Sequence, residues 1–106
     1  MNKRDIIISK LNRYLNIEKI PDYLPKGLLV EGTQNVSKII TGVSSSVDLF
    51  KAAVKAQAQM VIVHHGIFWK NESPVLKGSL KKRVKILLEN NITLLGYHLP
   101  LDCHPV

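Results

Sequence analysis

Two adjacent histidines, His64 and His65, follow the apolar segment 60–63 and precede Gly66. Imidazole nitrogens bind borderline divalent ions such as Zn, Mn, Fe, Co or Ni. Adjacent side chains of a strand point to opposite faces, so the two rings share a site only if the chain turns out of the strand there. Gly66 permits such a turn, because glycine adopts backbone angles that other residues avoid.

Two other apolar segments also end in polar residues. Segment 38–43 is followed by three serines, and segment 92–97 is followed by His98, Asp102, Cys103 and His104. Ligands of open parallel sheets bind beyond the carboxyl ends of the strands. A histidine pair with a carboxylate from a neighbouring strand end therefore predicts a metal site formed by His64, His65 and Asp102.

Each of these residues also has a structural interpretation. A single histidine at a strand end is usually structural or exposed, and Asp102 could cap a helix or belong to a turn. His98 could orient a ligand or contact a substrate instead of binding metal. Cys103 is more often a small buried apolar residue, and His104, near the end of the sequence, is a weaker candidate. Phe68 and Trp69 favour core or interface packing.

The apolar periodicity predicts an α/β fold. Helices are predicted at 4–16, 47–58 and 80–91, and strands at 38–43, 60–63 and 92–97. Ser45 with Asp48 fits the S-x-x-D start of the second helix, and Ser79 is predicted to cap the third. The buried stripe of that third helix is predicted to contain Leu80, Val84, Leu87 and Leu88. Because the strands are almost continuously apolar, we expect a βαβαβ unit with a mainly parallel sheet flanked by helices.

Composition narrows the class of protein. The 106 residues fit one α/β domain, and no apolar run reaches the ~20 residues of a membrane span. A single cysteine cannot form an internal disulfide, so we expect a cytoplasmic protein. The formal net charge of +7 fits an anionic partner such as nucleic acid, nucleotide or phosphate, or solubility alone.

Three segments together resemble one known family. V-I-V-H-H-G-I-F-W, L-L-G-Y-H-L-P-L-D and the earlier L-L-V-E-G with K-I-I-T-G-V are similar to the Nif-three-like dinuclear metal-centre family. Its bacterial members are often labelled GTP cyclohydrolase type 2 homologs. The resemblance implies two divalent metal ions held by His64, His65, Asp102 and a later H-x-x-x-E pair, with His98 close to the metals. It also implies a toroidal homohexamer.

The sequence stops at Val106, before any H-x-x-x-E pair. We therefore expect an incomplete domain, the amino-terminal fragment of a longer chain. The leading hypothesis is a metal-dependent hydrolase, with water acidified by the metals and His98 relaying protons. The excess of lysines favours a nucleotide-like anionic substrate. The alternative is a nucleic-acid-associated or regulatory protein with a structural metal, which would bind through the basic helix 80–90, a segment that is otherwise a solvated helix face.

Overall fold

The fold is given by a computed structural model that describes residues 2–16, 27–67 and 75–98. In chain order the elements of these ranges are β1 (Asn2–Lys3), α1 (Arg4–Tyr14), β2 (Gly27–Val30), β3 (Asn35–Val36), β4 (Ile39–Ser44), α2 (Val47–Lys55), β5 (Met60–His65), α3 (Gly78–Glu89) and β6 (Thr93–Gly96). One sheet has the order β2-β6-β5-β4, and β1 and β3 form a separate antiparallel pair. Within the four-stranded sheet, β4, β5 and β6 are parallel and β2 is antiparallel to β6, which confirms the predicted mainly parallel α/β sheet.

Alternate residues of the central strand β5 enter two different cores. Val61 and Val63 pack in a cluster with apolar residues of α2 and α3. Met60 and Ile62 belong to a second cluster that includes apolar residues of α1. Because successive side chains of a strand point to opposite faces, the helices cover β5 on both sides, as its continuous apolar sequence predicts.

The helices are amphipathic and short. In α3, Leu87 is fully buried, whereas Leu88 is 57% exposed, so the prediction that Leu88 belongs to the buried stripe is wrong. One residue along a helix is a rotation of about 100°, which takes Leu88 away from the core side on which Leu87 lies. None of the helices in the described ranges has the length and apolar character needed to cross a bilayer.

Each helix ends two or three residues earlier than the periodicity predicts. The reason is a residue with a left-handed backbone after each helix, namely Asn16, Gln57 and Asn91. After α2 the N–H of Ala58 donates to the carbonyl of Ala53 at 2.9 Å, and after α3 the N–H of Ile92 donates to Leu87 at 3.0 Å. These are Schellman caps, and they turn the chain directly into β5 and β6.

Helices α1 and α2 begin where predicted, but both predicted serine caps are wrong. Ser46, not Ser45, caps α2, and its hydroxyl accepts from the N–H of Leu49 at 3.0 Å. The Ser45 hydroxyl is engaged elsewhere, because it donates to the carbonyl of His65 at 2.7 Å. Helix α3 begins at Gly78 without a side-chain cap, so Ser79 lies inside the helix.

The loop 31–34 is held tightly between α1 and the start of β6. The buried Arg4 donates through Nη1 to the carbonyl of Gly32 at 2.6 Å, and the N–H of Gly32 donates to Thr93 Oγ1 at 3.0 Å. A Cβ atom on Gly32 would lie 2.6 Å from the Thr93 nitrogen and against the carbonyl of Asn91. Because these neighbours are backbone atoms, no side-chain rotation relieves the overlap.

We therefore expect Gly32→Ala to lower the free energy of unfolding by about 1–3 kcal/mol, as overpacking does. The control is Gly42→Ala, whose Cβ would meet only the flexible end of Leu49 at 2.7 Å. Urea unfolding measures both variants. Equal losses in the two variants would contradict the close backbone approach at Gly32.

Candidate functional site

The exits of β4, β5 and β6 lie at one edge of the sheet. Ser44 pairs with His65 across β4 and β5, and Val63 pairs with Gly96 across β5 and β6. His64 and His65 are the last two residues of β5, and His98 follows the end of β6 by two residues. The parallel register thus brings three histidines from two separate segments to the same edge.

The three imidazole rings form a compact group, which we call the three-histidine cluster (His64, His65 and His98). Ring centroids are 4.4 Å apart for His64 and His65, 4.8 Å for His64 and His98, and 5.2 Å for His65 and His98. All three residues are half-buried, and the Nδ1 atoms of His65 and His98 are fully enclosed. The cluster is therefore reachable from solvent but bounded by protein.

The donor set fits a divalent cation. One candidate nitrogen from each ring lies within 4.8 Å of the other two. In a tetrahedral site with Zn–N bonds of about 2.0–2.1 Å, two ligand nitrogens lie about 3.4 Å apart. The three rings would therefore rotate closer together to share one ion, and neutral imidazole is a good ligand for such ions.

The chain does not turn out of the strand at the histidine pair, although the sequence-based expectation made such a turn the condition for the two rings to share a site. Both residues belong to β5, and their rings are nearly perpendicular at 87°. The end of β5 is paired with one neighbouring strand only. The pairing of β5 with β6 ends at Val63, whereas its pairing with β4 continues to His65.

Gly66 also has a different role from the one expected. Its φ is not positive, but a Cβ atom there would lie 2.5 Å from Cδ1 of Leu29. A Cβ on Gly96 would meet the same methyl group at 2.8 Å. Both glycines therefore provide space for Leu29 next to the strand exits, and neither serves as a turn at the histidine pair.

Tyr97 anchors the segment that carries His98. Its ring is 1% exposed, its hydroxyl donates to Asn12 Oδ1 at 2.6 Å, and its N–H donates to the carbonyl of Val63 at 3.0 Å. Burial raises the pKa of Tyr97 to about 12. These contacts tie the residue before His98 to both α1 and β5.

Asp102 and the weaker candidates Cys103 and His104 lie outside the described residues, as do Phe68 and Trp69. The metal role of Asp102 accordingly stays a prediction. Among the described residues, one ring nitrogen of His98 lies within 4.8 Å of a nitrogen of each member of the histidine pair, which makes His98 a candidate third ligand, whereas the sequence suggested a proton relay. Sequence reasoning missed the anchoring by Tyr97, because an aromatic residue that ends an apolar segment carries no signal beyond burial.

Comparison with known proteins places the chain among proteins of one fold. The sequence profile of the Duf34/NIF3 (NGG1p interacting factor 3) family matches residues 1–106. A Salmonella typhimurium protein named GTP cyclohydrolase 1 type 2 homolog is 56% identical over 95 residues, which cover 90% of this chain and 38% of that protein. The chain thus spans about two fifths of the length of such relatives.

Solved structures of other proteins have the same fold as this chain. The structure of ybgI, a protein of unknown function, superimposes with a TM-score of 0.94 and 51% identity, over 97% of this chain and 42% of that one. A protein from Thermus thermophilus gives a TM-score of 0.90 and 37% identity, over 96% and 42% of the two chains. The parallel arrangement of strands around the three-histidine cluster therefore occurs in a fold already observed in other proteins.

The buried Tyr97 predicts a pH dependence of stability. Burial keeps the phenol neutral in the folded state, so its pKa rises from 10.0 to about 12, whereas in the unfolded chain it ionises near pH 10. The contribution of the neutral, buried phenol to the free energy of unfolding is thus fully present below about pH 10 and is lost as the pH rises towards 12. We expect the stability difference between wild type and Tyr97→Phe to shrink over this interval, as measured by urea unfolding.

The control for that measurement is Tyr14→Phe, which removes a tyrosine that is 60% exposed. Tyr97→Phe also loses the hydrogen bond to Asn12, which contributes about 1 kcal/mol at neutral pH. A Tyr97→Phe curve parallel to that of wild type from about pH 8 to about pH 12 would contradict the burial of the phenol.

Proposed function

Because the chain belongs to the Duf34/NIF3 family, we propose that it binds divalent metal ions at the three-histidine cluster. We propose further that the complete protein is a metal-dependent hydrolase with a nucleotide-like anionic substrate. The chain spans only 38% of the length of a relative that is 56% identical, so the activity concerns a whole protein of which this chain forms part.

The observation that carries the proposal is the convergence of His64, His65 and His98. One nitrogen of each ring lies within 4.8 Å of the other two, at the sheet edge where parallel α/β folds bind their ligands. Three ring nitrogens this close together support a shared cation, and the half-buried rings leave a path from solvent.

A second metal ion needs further ligands. We propose that Asp102 is one of these further ligands, because the H-L-P-L-D segment that it ends resembles the family's metal-binding segment. Asp102 follows His98 by four positions. Carboxylate oxygen and imidazole nitrogen together suit Zn, Mn, Fe, Co and Ni. The remaining ligands would come from an H-x-x-x-E pair elsewhere in the complete protein, and the resemblance also supports a toroidal homohexamer.

When bound, the ions supply Lewis acidity, which lowers the pKa of a coordinated water towards neutrality. His64 and His65 hold and orient the site, because their backbone is fixed in β5. His98 is placed to move a proton at one ring nitrogen or to act as a third ligand. The net charge of +7 favours an anionic substrate by long-range attraction.

Two observations support the proposed substrate class, namely the name of a relative and the positive net charge of the chain. A relative that is 56% identical is called a GTP cyclohydrolase 1 type 2 homolog, and the basic chain suits a nucleotide. No phosphate-binding glycine-rich loop of the P-loop type occurs in the sequence. We therefore propose a nucleotide-like anion as substrate class without assigning a base.

The alternative is nucleic-acid binding through α3, with the metal in a structural role. Lys81, Lys82 and Lys85 are exposed on this helix, although Lys85 is 3.7 Å from Glu89 in an ion pair within the helix. Exposed lysines on one helix are also what solubility requires. Both functions accommodate a metal at the three-histidine cluster. The hydrolase is preferred because solubility alone explains the exposed lysines of α3.

The metal site predicts that His64→Ala and His65→Ala each bind metal at least about 10-fold more weakly, because each removes one of few ligands. Elemental analysis of purified protein and zinc titration measure this loss. Lys51→Ala is the control, since Lys51 is an exposed residue of α2. Asp102→Asn should also weaken binding while the protein stays folded. Full metal content in both histidine variants would overturn the ligand assignment.

The hydrolase predicts turnover of a nucleoside phosphate that a chelator abolishes and Mn²⁺ or Zn²⁺ restores. The matched variant is Lys81→Ala with Lys82→Ala, which should leave this turnover unchanged. Nucleic-acid binding would instead fall steeply with salt and would weaken in the double variant. Tight, salt-sensitive RNA or DNA binding without chelator-sensitive turnover would favour the alternative.

A further inference from the structure

We propose that Ser45 and Arg83 are positioning residues for the metal site, because together they fix the backbone of His65 at the end of β5. The inference rests on the proposed metal-binding function. It assigns roles to two residues, one on the loop after β4 and one on α3, that contribute no ligand atom to the three-histidine cluster.

The first contact in this arrangement is a buried hydroxyl. Ser45 is 6% exposed, and its Oγ–H donates to the carbonyl of His65 at 2.7 Å. A buried hydroxyl is costly unless it is hydrogen-bonded, so Ser45 and His65 are held to this geometry. The neighbouring Ser46 is exposed and caps α2, so the two serines have separate tasks.

The second contact connects Ser45 to α3. Arg83 Nη1 donates to the carbonyl of Ser45 at 3.1 Å, and Nε donates to the carbonyl of Ser79 in its own helix at 3.3 Å. The guanidinium is thus fixed at two points on α3 and the loop after β4. Hydrogen bonds from a charged donor are stronger than neutral ones, so Arg83 locks Ser45 in place.

The backbone of His65 needs this support because its pairing is one-sided. The ladder to β6 stops at Val63, and the ladder to β4 makes its last pairing at His65. Gly66, the most permissive residue for backbone rotation, follows immediately. The bond from Ser45 therefore restrains the strand at the point where its regular pairing ends.

The hydrogen bond from Ser45 to the His65 carbonyl bears on metal binding because it fixes the position of the His65 ring. The His65 ring lies 4.4 Å from His64 and 5.2 Å from His98, measured between centroids. Metal–ligand distances tolerate only about 0.2 Å of error. A backbone rotation at His65 would swing its ring by more than that, so a fixed carbonyl preserves the donor set before a metal arrives.

The test compares Ser45→Ala with Ser46→Ala, two adjacent serines with different contacts. We expect Ser45→Ala to weaken Zn²⁺ affinity about 10-fold, the lower end of what loss of a ligand-orienting partner costs. Ser46→Ala should lower the temperature of unfolding, because it removes the α2 cap, and should leave Zn²⁺ affinity unchanged. Competition with a chromophoric zinc chelator measures affinity.

Arg83 provides an independent variant in case Ser45→Ala does not fold. Arg83→Met keeps the aliphatic stem but removes the donors, so it should weaken Zn²⁺ binding in the same direction. Arg83→Lys keeps a donor and a charge, and should recover part of the loss. Arg83→Met with wild-type affinity would contradict the role of Arg83.

A measurement without metal separates this inference from the metal-binding proposal. In metal-free protein, nuclear Overhauser effects between the ring protons of His65 and His98 should be present in wild type and weakened in Ser45→Ala. Unchanged ring contacts together with unchanged Zn²⁺ affinity in Ser45→Ala would overturn the positioning role. A wild-type protein that shows the ring contacts but binds no Zn²⁺ would instead overturn the proposed metal function.

Discussion

Backbone hydrogen bonds hold β4, β5 and β6 parallel, with Ser44 opposite His65 and Val63 opposite Gly96. This register determines which residues meet at the carboxyl edge of the sheet. A shift of one residue would move every side chain of β5 to the opposite face, which would also exchange its two cores. The position of the histidine pair is therefore stabilised by the packing of the whole strand.

The helix ends help to set this register. The caps after α2 and α3 place Ala58 and Ile92 in the core directly before β5 and β6. The N–H of Thr93 then donates to the carbonyl of Gln59 at 2.9 Å, which aligns the starts of these two strands. An error at a helix end would thus be carried along the strand to the far edge, where the histidines lie.

Buried hydroxyls connect elements that are distant in sequence. Ser45 donates to the carbonyl of His65, Tyr97 donates to Asn12, and Thr93 accepts from the N–H of Gly32. Hydrophobic packing is non-directional, whereas a buried hydroxyl without a partner is costly. These contacts therefore select one arrangement of the loops and strand exits among those that bury similar apolar area.

The order and type of the main elements followed from apolar periodicity, and His64 and His65 were identifiable because a pair follows a strand at the ligand-binding edge. Periodicity reports burial, so it could not tell which serine caps α2, where the helices end, or that Leu88 is exposed. The choice of the capping serine depends on a partner far along the chain, since Ser45 and His65 are 20 positions apart, whereas each helix end depends on a left-handed residue directly after it. The sequence by itself determined the α/β pattern and the candidate ligands; only the tertiary structure decided that His98 lies beside His64 and His65, because strand register sets distances between segments that no local pattern records.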